Sequence, residues 1–164
     1  MLDLEYTADA IVVRIRAVPG GVLTAGLLDS LAAAVRYVGP DRAIVLTGAG
    51  DLFAPDLDPA PGLLRTAAVH RLPLALAALR AHPLPIVAAI NGDAVGAAYT
   101  LACAADVRII SGGVVQPLPQ STVRYHGPSA VAAGLVERCC APADLLDVAL
   151  RQICSLGPRA AMSG

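Results

Sequence analysis

The sequence predicts a mixed α/β fold, and its 164 residues fit a single domain spanning 1–164. Short apolar runs alternate with segments of helical periodicity along the chain. Two of these runs, RAIVLTG at 42–48 and LPIVAAIN at 84–91, are almost wholly apolar, as strands of a doubly covered sheet are. Hydrophobic residues make up 56% of the chain, which a deeply buried sheet or a subunit interface would explain.

The first half of the chain contains clear start and stop signals. Thr24 can cap a helix over 25–38, in which apolar residues recur on one face. Gly39 and Pro40 end that helix, and the proline- and aspartate-rich stretch 51–62 predicts a loop. The other elements predicted here are two strands joined by a turn at 7–9, a break at 19–21 and the strand at 42–48.

The second half continues the alternation of strand and helix. It predicts a helix over 63–81 that is irregular at Pro73, a strand at 84–91, a helix at 96–104 and a strand at 106–111. A proline-rich stretch follows up to Gln120, and residues 121–134 receive no assignment. Pro142 suits the start of a last helix over 143–156, which Gly157 and Pro158 end.

Charge and composition exclude several classes of partner. The net charge is −1, and the twelve cations are all arginines spread singly along the chain. With one phenylalanine and no tryptophan, the chain offers neither the basic patch nor the stacking platform of a nucleic-acid-binding protein. We therefore expect no nucleic-acid partner.

Membrane insertion and metal binding are not expected either. The longest apolar stretch, Ala94–Ala105, is shorter than the ~20 residues needed to span a bilayer. Because no basic-then-apolar leader opens the chain, we expect a cytoplasmic protein. The four cysteines lack metal-ligand spacing and are expected to be buried, reduced thiols. His70 and His82 are expected to be solvated.

The stretch IVLTGAGDLF begins like a dinucleotide-binding fingerprint, with a strand followed by two glycines. Phe53 stands where the third glycine should be, and prolines follow where a helix should begin. No acidic residue closes a second strand about twenty positions on. The pattern therefore does not predict nucleotide binding.

Three blocks of sequence resemble the crotonase superfamily, the enoyl-CoA hydratase/isomerase group. They are RAIVLTGAGDLFAPDLD, HPLPIVAAINGDAVGAAYTLACAADVRIIS and AAGLVERCCAPADLLDVAL, in the family's order. The resemblance implies a crotonase-like ββα spiral. It also implies a fold truncated at the C-terminus and shortened after the position of the family's Pro-Glu motif, where only 121–132 bridge a longer family segment.

The resemblance also implies a site made of backbone. Family members bind an acyl-CoA thioester and stabilise its enolate oxygen with two main-chain N–H groups, which act where charge develops. In register these donors are Leu57 and Ala97, the latter next to Gly96 at the start of the glycine-alanine helix. Asp56 replaces the family's flexible glycine, and Asp58 completes that turn. An ordinary surface loop at 56–58 remains an alternative.

The two glutamates with which family hydratases activate water are replaced by Thr100 and Gln120, neither of which exchanges protons as a carboxylate does. We expect a cavity without a carboxylate in their place, and no ordinary hydratase activity. Stand-in proton donors would be Tyr125, His126, Tyr99 and Asp93, although Tyr125 and His126 could equally form a surface turn.

The resemblance implies binding of an acyl-CoA or acyl-carrier thioester, with coenzyme A entering only as part of the substrate and no separate cofactor or metal. If active, the protein would be a lyase or isomerase that stabilises an enolate. The alternatives are a degenerate accessory subunit beside a partner enzyme of a specialised-metabolite pathway, or an inactive product of gene decay. A homo-oligomer or a complex with a related subunit is expected.

Overall fold

The computed structural model describes residues 1–159 and confirms the mixed α/β class. Its strands are β1 (Leu2–Tyr6), β2 (Ala10–Ile15), β3 (Ala43–Gly48), β4 (Ile86–Ile90), β5 (Ala94–Val95), β6 (Val107–Ile110), β7 (Val115–Gln116) and β8 (Arg138–Cys139). Its helices are α1 (Ala25–Val38), α2 (Leu63–Ala81), α3 (Ala97–Cys103), α4 (Gly127–Ala132) and α5 (Leu145–Ser155), the last preceded by a 3₁₀ turn at Pro142–Asp144.

The main sheet has the strand order β1-β2-β3-β4-β6-β8. Only β1 and β2 pair antiparallel, across the predicted turn at 7–9, and every other neighbouring pair is parallel. A second, two-stranded sheet joins β5 to β7. Parallel neighbours require crossover connections, and the intervening helices supply them.

Alternate residues of each central strand enter two different apolar clusters. On β3, Ile44 and Leu46 face one cluster, which includes buried residues of α1, α2 and α3. Ala43 and Val45 face the other cluster, which is covered by α5. Both faces of the sheet are therefore buried, which explains why these strands are apolar at successive positions.

The predicted cap of α1 is confirmed. The Thr24 side chain accepts a hydrogen bond of 3.1 Å from the Leu27 N–H, which satisfies one of the free donors at the start of the helix. The last turn ends at Gly39, whose φ is +74°. Helix α2 continues through Pro73, so the proline does not divide it.

Elements of two residues were missed. Strands β5, β7 and β8 have no periodicity of their own and exist because a partner strand lies alongside. Helix α4, in the stretch 121–134 that received no assignment, begins after His126, which forms a reciprocal capping box with Ser129. Within residues 1–159, no helix combines the length and apolar character required to cross a bilayer.

Two expectations about burial were wrong, one for His82 and one for the cysteines. His82 is buried, and its Nε2 lies 2.6 Å from the Arg42 carbonyl oxygen. His70, by contrast, is exposed as expected. Cys103, Cys139 and Cys154 are exposed, and Cys140 is half-buried, so these four thiols are not core residues.

Candidate functional site

A cavity of about 730 Å³ lies between the loop after β3, the first turns of α2 and α3, and the loop that follows β7. It collects residues that are far apart in the sequence. Six of the predicted site positions line it: Asp56, Leu57, Gly96, Ala97, Thr100 and Gln120. The remaining lining residues are Pro59, Pro61, Arg65, Leu72, Pro117, Leu118 and Pro119.

Two main-chain N–H groups converge on one oxygen atom in this cavity. Leu57 N donates to Asp56 Oδ1 at 2.7 Å, and Ala97 N donates to the same oxygen at 2.9 Å. Neither amide belongs to a strand ladder. Two amides about 3 Å from a single oxygen are the arrangement that stabilises a developing oxyanion.

The oxygen between these amides belongs to the protein's own carboxylate. The cavity therefore contains a carboxylate among its described lining residues, because Asp56 turns its side chain toward α3. Positions 100 and 120 themselves carry no acid. The main chain at Asp56 does not adopt a positive φ: within residues 1–159, every residue with positive φ is a glycine.

Gly96 leaves the space that the Asp56 carboxylate occupies. A Cβ atom on Gly96 would lie 2.6 Å from each carboxylate oxygen and 2.7 Å from Pro119 Cγ. Its φ of +59° is also one that L side chains rarely adopt. Both the backbone angle and the close approach of Asp56 therefore require glycine here.

The side chains at the two glutamate positions lie on the cavity wall without acid–base capacity. Thr100 Oγ1 donates back to the Gly96 carbonyl oxygen at 3.3 Å, within α3. Gln120 is exposed at the rim. A hydroxyl and a carboxamide do not ionise near neutral pH, so neither can replace a carboxylate as acid or base.

Other predicted candidates do not line the cavity. Asp58 accepts a hydrogen bond from the Ala60 N–H, within its own turn. Tyr125 pairs with Val115 through two backbone hydrogen bonds, and His126 is the exposed cap residue of α4. Among the described residues, none of these three lines the cavity.

Tyr99 and Asp93 have structural partners. The Tyr99 hydroxyl donates to the Leu135 carbonyl oxygen at 2.8 Å, and burial raises the pKa of this hydroxyl far above its ordinary value. Asp93 Oδ1 accepts from the Val114 N–H at 2.9 Å. Neither side chain is among the residues that line the cavity.

The sequence model of the enoyl-CoA hydratase/isomerase family matches residues 11–115, which contain the central strands and both converging amides. The chain belongs to the enoyl-CoA hydratase/isomerase family. Among curated relatives it is 36% identical over 101 residues to a probable enoyl-CoA hydratase of Mycobacterium bovis and 44% identical over 93 residues to one of Rhodobacter capsulatus. These matches cover 60% and 53% of this chain, but only 42% and 36% of the relatives.

Solved structures support the crotonase-like fold. An enoyl-CoA hydratase/isomerase family protein from Silicibacter pomeroyi superposes with a TM-score of 0.79 at 19% identity, covering 94% of this chain and 83% of that one. DspI of Pseudomonas aeruginosa gives 0.79 at 22% identity, covering 95% and 81%. At these identities the likeness concerns the fold alone.

In this hydratase/isomerase family member, Asn91 fixes the loop that leads to the cavity. Its Oδ1 accepts from Gly48 N at 2.9 Å, and its Nδ2 donates to the Gly50 and Leu52 carbonyl oxygens at 3.0 and 3.3 Å. The sequence pattern placed Asn91 only at the end of the strand predicted at 84–91. The signal was a polar side chain directly after a wholly buried strand.

Gln116 holds the opposite wall of the cavity. The side-chain Nε2 of buried Gln116 donates to the Pro119 and Ser121 carbonyl oxygens at 3.1 and 2.5 Å. Its main-chain carbonyl oxygen accepts a hydrogen bond from Gly96 N at 2.8 Å. Gln116 thus positions both the loop 117–121 and the start of α3. No periodicity distinguishes this glutamine, so sequence reasoning missed it.

Proposed function

We propose that this protein binds an acyl-CoA or acyl-carrier thioester with the thioester oxygen between the N–H groups of Leu57 and Ala97. The observation that carries the proposal is the convergence of these two amides on one oxygen position. Family membership supports it, because a backbone-donor site for thioesters is what the crotonase resemblance implies. The cavity of about 730 Å³ provides room for an acyl group beside that position.

The chemistry we propose is stabilisation of a thioester enolate. When a proton leaves the carbon next to the carbonyl, negative charge develops on the thioester oxygen, where two fixed N–H donors need no reorganisation. Removing one such donor from an enzyme typically lowers kcat by about 10²–10³-fold. Within the family this would make the protein a lyase or isomerase.

Asp56 competes with a thioester for this position. Its Oδ1 already accepts both hydrogen bonds, so the side chain must turn away before a substrate oxygen can enter. A hydrogen bond to a charged group contributes about 1.5–3 kcal/mol, and each 1.4 kcal/mol is about tenfold in affinity. We therefore expect the Asp56→Ala variant to bind a thioester at least ~10-fold more tightly than the wild type.

Isothermal calorimetry with acetoacetyl-CoA tests the two donors. Ala97→Pro removes one N–H at the first helical position, which proline tolerates well. In the Asp56→Ala background, where no carboxylate competes, this change should weaken binding by about tenfold. Ala25→Pro is the matched control, since Ala25 is the first residue of α1 and lies outside the cavity. Equal affinity with and without Ala97→Pro would refute the backbone site.

Hydration of an enoyl-CoA is not part of the proposed function. Thr100 and Gln120 stand where the hydratases carry glutamates, so no pair of carboxylates can activate water. We expect crotonyl-CoA to keep its enoyl absorbance in the presence of the purified protein. A steady loss of that absorbance at a rate proportional to protein concentration would show that this expectation is wrong.

A second candidate function is an accessory subunit that no longer binds substrate. The contact of Asp56 with both amides favours this accessory role, because the Asp56 carboxylate fills the position where a substrate oxygen would lie. The calorimetric series separates the candidates. Binding by Asp56→Ala but not by the wild type, even at saturating thioester, would favour the accessory role in association with a partner enzyme.

Association into a homo-oligomer or with a related subunit is part of the same proposal. Leu63 and Leu64, at the start of α2, are 89% and 67% exposed. Large apolar side chains exposed side by side favour burial against another surface. Sedimentation of the purified protein should give a mass above that of one chain, and Leu63→Ser with Leu64→Ser should reduce it. A monomer at all concentrations would contradict the homo-oligomer.

A further inference from the structure

We propose that Asp56 is the general base of this site: once a thioester displaces it from the two amides, its carboxylate takes the proton from the carbon next to the thioester carbonyl. The inference rests on the proposed function, since it requires a bound thioester. It assigns a catalytic role to the residue at a position where the crotonase pattern has a glycine.

The choice of Asp56 follows from the chemistry of the cavity wall. Among the described residues that line the cavity, the ionisable side chains are Asp56 and Arg65. Arginine stays protonated in proteins and cannot accept a proton. Thr100 and Gln120 cannot act as bases near neutral pH. Asp56 is thus the group on this wall that can accept one.

The position of Asp56 suits proton transfer at that carbon. Its Oδ1 lies where we place the thioester oxygen, and the carbon to be deprotonated is separated from that oxygen only by the carbonyl carbon. A general base must come within about 3 Å of the atom that gives up the proton. A carboxylate that leaves the oxygen position by side-chain rotation remains beside the acyl group.

The main chain at Asp56 is held by contacts other than those of its side chain. Leu23 N donates to the Asp56 carbonyl oxygen at 2.8 Å, and Leu23 forms an isolated parallel bridge with Leu57. The Asp56 side chain is half-exposed toward the cavity. Opposite it stands Gly96, which presents no side chain. Displacement therefore requires side-chain rotation and leaves the Leu57 N–H in place.

The proposed step conserves atoms and charge. The C–H bond beside the thioester carbonyl breaks, its proton forms an O–H bond with the Asp56 carboxylate, and its electron pair passes into the enolate. The negative charge moves from the carboxylate to the thioester oxygen, where the N–H groups of Leu57 and Ala97 stabilise it. Reversal returns a proton to the same carbon. In D₂O the returning atom is deuterium, so exchange reports the step without any net reaction.

The experiment measures exchange of the 2-position hydrogens of butyryl-CoA for deuterium by NMR, with the binding of butyryl-CoA measured in parallel. We expect the wild type to catalyse exchange and Asp56→Asn to lower the rate by about 10²-fold or more, the usual contribution of a positioned base. Asparagine keeps an oxygen acceptor for the two amides, so thioester binding should persist. Asp58→Asn is the matched control, because Asp58 lies in the same loop but outside the cavity.

Asp56→Ala provides a second measurement should the Asn variant fold poorly. It should bind thioester, lack exchange, and regain part of the exchange when formate is added as an external base. Two results would overturn the role of Asp56 and leave the proposed function intact. One is a wild type that binds butyryl-CoA but does not catalyse exchange, and the other is an exchange rate in Asp56→Asn equal to that of the wild type. Failure of every variant to bind butyryl-CoA would overturn both.

Discussion

The two amides that meet at Asp56 come from regions built in different ways. Ala97 follows β5 and begins α3, whose buried residues pack in the main apolar cluster. Leu57 lies in the loop 51–62, which is held by buried Phe53 and by backbone hydrogen bonds from Leu23 N to Asp56 O, from Phe53 N to Asp93 O and from Asp93 N to Asp51 O. The α3 region, residues 94–103, is packed into the main apolar cluster, whereas the loop region, residues 51–62, contributes Phe53 and Ala54 to that cluster and is otherwise held by hydrogen bonds to neighbouring segments.

The residues at positions 97 and 56 affect the two N–H groups differently. At position 97, where the crotonase resemblance implies a family glycine, alanine keeps the N–H. At position 56, where it also implies a glycine, aspartate leaves the next N–H in place but adds an acceptor that occupies both N–H groups. A site made of main chain tolerates an added methyl group more readily than an added charge.

The largest effect is expected from Gly96→Ala, which brings the two regions into collision. The added Cβ would lie 2.6 Å from the Asp56 carboxylate oxygens at a φ unfavourable for alanine. We expect a loss of roughly 3 kcal/mol in the free energy of unfolding, measured with urea, and no thioester binding.

Gly134→Ala is the control for this variant. Gly134 also has a positive φ, of +75°, but its Cβ would meet open space. Alanine there should cost only about 1 kcal/mol. Adding Asp56→Ala to Gly96→Ala should restore part of the stability. Equal losses in both single variants would show that contact with Asp56 does not matter.

Asn91→Ala should produce the next largest effect, because Asn91 joins the loop region to the strand that leads to the α3 region. It leaves the Gly48 N–H and two loop carbonyls without their partner. We expect about 2 kcal/mol of destabilisation by urea unfolding. Asn91→Asp keeps the acceptor for Gly48 but loses the donor, so it should separate the two contributions. A neutral Asn91→Ala would mean that the loop holds its position without this link.

Gln116→Ala tests the wall beside the α3 region. Loss of the Nε2 donor frees the carbonyls of Pro119 and Ser121, and we expect about 1 kcal/mol of destabilisation together with weaker thioester binding. Gln152→Ala, on α5 and away from the cavity, is the control. If both variants bind thioester like the wild type, the loop 117–121 does not contribute to the site.

The smallest effect concerns His82, which precedes β4 and does not line the cavity. Burial lowers the pKa of His82 below its ordinary value of 6.5, so the unfolded chain binds a proton that the folded chain resists. As far as His82 contributes, the free energy of unfolding therefore has its full value above pH 6.5. It decreases as the pH falls toward the lowered pKa, because the unfolded chain binds the proton first.

Urea unfolding between pH 7.5 and about 5 should therefore show a smaller dependence on pH for His82→Gln than for the wild type. The ratio of the two proteins' thioester affinities should stay constant over the same interval, because His82 is not part of the site. A ratio that changes with pH would mean that the far end of β4 is coupled to the α3 region.

Much of the architecture could be predicted because the signals are local. Thr24 caps α1, and the apolar runs at β3 and β4 declare strands that are buried on both faces. The Gly96–Ala97 helix start and the loss of glutamate at Thr100 were also readable by register. The short strands β5, β7 and β8 were not, since each depends on a partner distant in sequence.

The sequence by itself determined the fold class, the family and the residue types at each site position, because these depend on patterns within one segment. Only the tertiary structure decided that Asp56 lies between two amides, that Tyr125 and His126 lie outside the cavity, and that Gln116 supports its wall. The physical reason is that a hydrogen bond depends on distance and direction in space. The Asp56 carboxylate and the Ala97 N–H, forty-one positions apart in the sequence, are brought together by the fold.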